Sequence, residues 1–218
     1  MRLNQDYKNA ALARLRGNWA APVVATLVFI IIAAACTSGN VFPQYINART
    51  GMIFWFCGGS ALLTILVINP LIVGYDNAMR LFYERGDQEV LSNMFRIATT
   101  NYAHKVAGMF LMELKVALWT LLFFIPGIIM SFSYAMTPYI LEEHPEIGAW
   151  DASTRSREIM RGHRFDLFWL YLSFIGWILL SILTLGIGLL WLAPYTGASE
   201  IAFYNDLKAE QGEASVAP

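Results

Sequence analysis

The chain has 218 residues, 57% of them hydrophobic and 14% charged, with a mean hydropathy of +0.49. That composition lies outside the soluble range and fits one membrane domain of four to six spans, without room for a soluble catalytic domain. A formal net charge of −1, a pI near 6.3 and the lack of a basic tract with interleaved aromatics exclude nucleic acid as a partner.

Residues 1–18 are polar with a sparse apolar stripe. Leu3, Tyr7, Ala11 and Leu15 recur every four residues, while Arg2, Lys8, Arg14 and Arg16 lie around the rest. This reads as an amphipathic helix resting on an anionic membrane surface, or as a short solvated helix leading into the first span. Residues 19–36 are apolar enough to cross. Ala33-Ala34-Ala35-Cys36 resembles a lipoprotein cleavage site, but the polar stretch before it is long for a signal peptide, so an uncleaved span is expected.

After a polar loop carrying Arg49, the second expected span covers residues 52–75 and starts with the small residues Gly58-Gly59-Ser60-Ala61. Near its other end Asn69-Pro70 frees a backbone carbonyl that a neighbouring helix must satisfy. The polar connector that follows contains Val90, Leu91, Met94, Phe95, Ile97 and Ala98, spaced for a second interfacial helix.

Residues 106–141 form a long apolar region broken at Pro126-Gly127. It reads as a hairpin of spans 106–125 and 127–141, or as a single span 116–134 with Glu113 and Lys115 in the interface. Residues 167–194 carry no charge, too long a run for one crossing of a ~30 Å hydrocarbon core and short for two. The break Leu185-Gly186-Ile187-Gly188 makes it a hairpin of spans 165–184 and 187–204, the second running past Pro194. Residues 19–207 thus form one integral membrane domain, and 208–218 a polar, disordered tail.

Charge placement selects six spans. With the N-terminus inside, Arg2, Lys8, Arg14, Arg16, Arg80, Arg85, Arg96, Lys105, Arg155, Arg157, Arg161, Arg164 and Lys208 all lie on inner segments. Single spans in both doubtful regions would put the arginines of residues 155–164 outside, against the positive-inside rule. The expected fold is all-α: a polytopic bundle of three hairpins with amphipathic interfacial helices and both termini cytoplasmic. Each returning helix carries a proline and then an acid: Pro70 and Asp76, Pro138 and Glu142, Pro194 and Glu200. Gly127 to Tyr134 and Gly188 to Tyr195 also share a spacing of seven, which reads as a hairpin repeat or as ordinary punctuation of span ends.

Several local runs carry a resemblance. Arg14-Leu15-Arg16-Gly17-Asn18-Trp19, Ile125-Pro126-Gly127-Ile128-Ile129 and Ser156-Arg157-Glu158-Ile159-Met160-Arg161-Gly162-His163 occur in that order. With Leu172-Ser173-Phe174-Ile175-Gly176-Trp177 and Ala193-Pro194-Tyr195, they resemble the bacterial integral-membrane family catalogued as domain of unknown function 975. The resemblance extends from about residue 10 to residue 207. It implies a multi-pass protein of the bacterial cytoplasmic membrane and brings no activity, cofactor or catalytic residue.

Candidate sites are judged on their own chemistry. Glu113 and Lys115 are the charges deepest within an expected span, a possible intramembrane polar site, yet two residues apart they point to nearly opposite faces. Asp76, Glu142 and Glu200 either converge as an acidic ring or sit as solvated span ends. Glu142-Glu143-His144-Pro145-Glu146 holds ligand-type residues without zinc spacing, so no metal is expected. Cys36 and Cys57 pair as a disulfide or stay as free thiols. No Ser/His/Asp arrangement, phosphate loop or HExxH occurs, and neither catalytic residues nor a cofactor is nominated.

The favoured site is the basic segment. Trp150, Ile159 and Met160 suit lipid while Arg155, Arg157, Arg161 and Arg164 meet anionic headgroups, with His163 and His104 as further headgroup contacts. The expected function is therefore non-enzymatic: binding of anionic membrane lipids, or assembly with itself or another membrane protein. The alternative is a small transporter or channel built on the proline-broken helices and Glu113/Lys115.

Overall fold

In a computed structural model, residues 3–37, 62–122 and 124–212 are described. Among them are eleven α-helices and no strand. They are α1 (Asn4–Leu15), α2 (Ala20–Thr37), α3 (Asn69–Arg85), α4 (Val90–Thr99), α5 (Tyr102–Leu122), α6 (Phe124–Ser133), α7 (Thr137–Glu143), α8 (Ala149–Ile159), α9 (Arg164–Leu172), α10 (Ile175–Leu183) and α11 (Leu189–Glu210). A π-helical turn, Thr64–Ile68, leads into α3. Arg49, the run from Gly58 to Ala61 and the Cys57 half of the cysteine pair lie outside the described residues.

Asp6 accepts the Leu3 N–H at the start of α1, and Gly17 ends the helix at φ +79°, a conformation that costs a residue without Cβ little. The chain then bends by 102° into α2. Tyr7, Ala11 and Leu15 form a buried stripe as their spacing predicts, while Leu3 is exposed. The stripe faces α11, not lipid: the Tyr7 ring meets Phe203 edge-on at 5.6 Å and its hydroxyl donates to Asp206 at 3.1 Å. The apolar face of α4 is likewise covered by protein, because Gly74 lets the α3 backbone come against Met94 and Ala98. Both stripes that suggested membrane-surface helices serve the internal core.

Proline placement explains three connections. Pro70 has no N–H for the Leu66 carbonyl four residues back, and the Tyr102 hydroxyl of α5 donates to that oxygen instead. Pro138 falls in the first turn of α7, where a missing N–H is harmless, and Asn77 donates to both the Val73 and Pro138 carbonyls at 2.9 Å. Pro126-Gly127 is not the hairpin turn. Pro126 and Gly127 lie in the first turn of α6, and Gly127 packs back against Thr120 of α5, so α6 returns along α5. A straight span over 116–134 is therefore not formed.

The return leg is itself broken at residues 134–136, where the Ser156 hydroxyl donates to the Ser133 carbonyl at 3.0 Å and accepts the Met136 N–H at 3.2 Å. The second hairpin turns at residues 184–188, as the glycines predict, with Leu185 at φ +54° and Gly186 at φ +86°. In both hairpins a glycine meets a small hydroxyl residue seven positions earlier. A methyl on Gly127 would lie 2.7 Å from Thr120 Cα, and one on Gly188 would lie 3.0 Å from Ser181 Cα. The spacing of seven seen after each glycine thus also holds before it.

By length and apolarity, one described run, Arg164–Leu183, is able to cross a membrane, and α1 with α2 passes only as a bent pair. Its helical hydrogen bonding is interrupted at Ser173–Phe174, where Lys8 donates to the freed Ser173 carbonyl at 2.7 Å while lying 4.3 Å from the Phe174 ring centroid. α11 continues to Glu210, so Lys208 to Glu210 belong to a helix and not to a disordered tail; residues 213–218 lie outside the described part.

Candidate functional site

Two polar centres stand out, one inside the bundle and one at its surface. The inner one is built from helical stripes four residues apart: Asp76 and Arg80 on α3, Tyr139 and Glu143 on α7, and Glu200, Tyr204 and Lys208 on α11. Glu143 accepts from Arg80, from Tyr204 at 2.6 Å and from Lys208 at 2.8 Å, with the Tyr139 and Tyr204 rings stacked at 5.1 Å beside it. One helical turn along, Tyr171 donates to Glu200, and Asp76 lies within electrostatic range of Glu200. Asp76 and Glu200 thus come together, whereas Glu142 pairs with the fully buried Lys105, so the three acids do not form a ring.

The run Glu142-Glu143-His144-Pro145-Glu146 separates for the same reason. Its two helical glutamates face different helices, and His144 pairs locally with Glu146 at 3.0 Å. Among the described residues no three His, Cys, Asp or Glu side chains gather closely enough to hold a metal ion.

The surface centre joins residues that the sequence treats separately. Lys115 on α5 donates to the buried Ser153 hydroxyl and to the Trp150 carbonyl at 3.3 Å, and its ammonium lies 3.5 Å from the Trp150 ring centroid. Arg157, one helical turn beyond Ser153 on α8, is within electrostatic range of Lys115 and of Tyr134, and the Lys115 ammonium lies 5.7 Å from the Tyr134 ring centroid. Arg164 at the start of α9 also lies within range of Tyr134, and its Nε is buried without a hydrogen-bond partner. Among the described residues, Asp151 is the one acid acting on Lys115.

Glu113 diverges from Lys115 as its spacing predicts. It lines a shallow groove with Met112, Val116, Thr120 and Ser131. The four arginines do not share a face: Arg161 is exposed, and Arg155 turns the other way, within range of Tyr204. Ile159 and Met160 are buried in the core and do not meet lipid, whereas Trp150 is exposed. His163 sits between acids, 3.3 Å from both Asp166 and Glu210, and His104 keeps a buried Nε2 without a partner. Tyr134 and Glu143 are the contributors that local patterning does not mark, since each acquires its role from helices distant in sequence.

No curated relative and no solved structure matches the chain. Residues 90–211 match the family model described as protein of unknown function (DUF975), a region that holds α4 to α11 and the whole surface centre but leaves the Arg14-to-Trp19 run outside. The match covers more than half of the sequence, and the chain belongs to that family.

Proposed function

We propose that this is a multi-pass protein of the bacterial cytoplasmic membrane, with both termini inside, that acts without catalysis by binding anionic lipid. One observation carries the reading: exposed arginines stand beside exposed aromatics at the start of the longest apolar run. Trp150, Phe165 and Trp169 are 58%, 72% and 55% exposed, and Arg157 and Arg161 are exposed among them. Aromatic rings of this kind favour the membrane–water boundary, where arginine meets headgroup phosphate. Uncovered apolar residues on α2 (Leu27, Ile31), α5 (Leu118, Leu121) and α10 (Leu179, Leu183) support further insertion.

Changing Arg157, Arg161 and Arg164 together to Gln is expected to leave the protein folded and inserted, and to cut retention of anionic lipid in native mass spectrometry. At about 1 kcal/mol per near-surface Arg, the loss is about 3 kcal/mol. Unchanged lipid retention by the triple variant would remove the reading. Arg155 is left out because it faces the protein.

Topology is testable separately. Ser153 is fully buried beneath Lys115, so a cysteine there reports burial and not sidedness. Glu158 is exposed on the same helix. In a background lacking Cys36 and Cys57, Glu158→Cys is expected to resist an impermeant thiol reagent in intact cells and to react once the cells are opened. Labelling in intact cells would place this segment outside and end the six-span reading.

A second reading, a small transporter, draws support from the meeting of Asp76 and Glu200 between α3 and α11. It no longer leans on Glu113 and Lys115 as a pair. Ion- or proton-dependent flux in reconstituted vesicles, lost in Glu200→Gln, separates it from the first.

A further inference from the structure

We infer that Lys115, Arg157 and Arg164, with the Tyr134 hydroxyl, form a discrete site for one phosphate group, supplied by a phospholipid headgroup or by free phosphate. The inference rests on the lipid reading above for the first source and stands apart from it for the second. Local surface charge needs only arginines near a membrane. A site needs cations drawn from separate elements around one residue: the Lys115 ammonium of α5 lies 5.7 Å from the Tyr134 ring centroid, and Arg157 of α8 and Arg164 of α9 are both within electrostatic range of Tyr134.

The convergence is costly as it stands. Like charges held together repel, and among the described residues Asp151 is the one acid acting on Lys115. A bound oxyanion would offset the repulsion between Lys115 and Arg157. Tetrahedral phosphate fits better than carboxylate, because it offers more than two acceptor oxygens to donors arriving from different directions, and guanidinium engages such oxygens in paired hydrogen bonds.

The surroundings fix the other half of the ligand. Leu118 and Trp119 follow Lys115 by three and four residues, so they continue its helix face, and they are 58% and 40% exposed. On the other side the exposed Trp150 ring covers the Lys115 ammonium. A phosphate held at the three cations thus opens directly onto an apolar strip along which acyl chains can lie. This is why Lys115 belongs to the site although it falls inside an expected span.

The test uses the full-length protein in detergent micelles, with phosphatidylglycerol, phosphatidylcholine and inorganic phosphate as probes and native mass spectrometry as the readout. Wild-type protein is expected to retain one phosphatidylglycerol per chain in preference to phosphatidylcholine. Arg157→Gln, at an exposed helix position, and Lys115→Gln should each weaken that retention about tenfold or more, the worth of one charged hydrogen bond. Lys115→Arg should restore most of it, and Arg161→Gln should cost only about fivefold, the worth of one near-surface Arg. Because Lys115→Gln also removes contacts to Ser153 and Trp150, Arg157→Gln is the deciding variant should the former fail to fold. Specific retention that Arg157→Gln and Lys115→Gln leave untouched overturns the site while the lipid reading survives. Absence of any anionic preference, with saturable inorganic phosphate binding that Arg157→Gln abolishes, overturns the lipid reading and leaves a free-phosphate site. Binding of neither probe overturns both.

Discussion

Glu143→Ala is expected to destabilise the protein by about 3–5 kcal/mol, the cost of breaking a buried ion pair from one side. Its carboxylate is 13% exposed and joins α7 to α3 through Arg80 and to α11 through Tyr204 and Lys208. Removing it leaves the Arg80 guanidinium, 11% exposed and already lacking a partner for Nε, with uncompensated charge in the core. Truncating Lys208 instead should cost about 1 kcal/mol or less, because its ammonium is 23% exposed and recovers water. Unfolding midpoints in a mild detergent measure both. A Glu143→Ala protein within about 1 kcal/mol of wild type would show that Arg80 finds water or another acceptor.

The same carboxylate sets a pH dependence. Burial works to raise its pKa, but Arg80, Lys208 and the Tyr204 hydroxyl outweigh that and hold it below the ordinary glutamate value. A depressed folded-state pKa contributes stability above the unfolded value of about 4.3, and loses it as the pH falls through the folded value. Glu143→Gln should therefore flatten the acid limb of the stability curve below about pH 4.3 while lowering its plateau. An acid limb as steep as that of wild type would assign the loss to other carboxylates.

What the sequence disclosed and what it hid divide along sequence separation. Helix positions, the hairpin turn at residues 184–188, the stripe on α1 and the need to satisfy a carbonyl near Pro70 all follow from local periodicity and backbone chemistry. What covers each stripe does not. Lys8 meets Ser173 across 165 residues and Tyr7 meets Asp206 across 199, contacts that no local period encodes. Amphipathic helices in an apolar chain thus read as surface helices until a protein partner is seen. Glu142 and Glu143 illustrate the same limit, since neighbours on a helix point about 100° apart and are claimed by different cations. Local spacing gives Lys115 no partner because the Ser153 hydroxyl and Trp150 carbonyl it meets lie beyond two further helices in the chain.

The second large effect is expected at Gly74, where the contact is backbone against backbone. A methyl placed there would lie 2.3 Å from the Met94 carbonyl oxygen, 3.0 Å from the Ala98 Cβ and 3.1 Å from the Ala98 nitrogen. None of these atoms can rotate away, so α4 must move as a body. Gly74→Ala should cost about 2–3 kcal/mol, and Gly74→Leu should release the buried face of Val90, Met94 and Ile97 altogether. Two other helical glycines calibrate the result. A methyl on Gly108 meets only the Leu141 side chain, at 2.5 Å from Cδ2, and rotation of that leucine should keep the cost near 1 kcal/mol. A methyl on Gly197 meets nothing within 4 Å, so Gly197→Ala should stabilise α11 by about 0.5–1 kcal/mol through helix propensity. The order of unfolding midpoints is the measurement: Gly197→Ala highest, then Gly108→Ala, then Gly74→Ala. If Gly74→Ala instead falls level with Gly197→Ala, α4 does not pack against α3 at this depth, and its apolar stripe returns to being a candidate for the membrane surface.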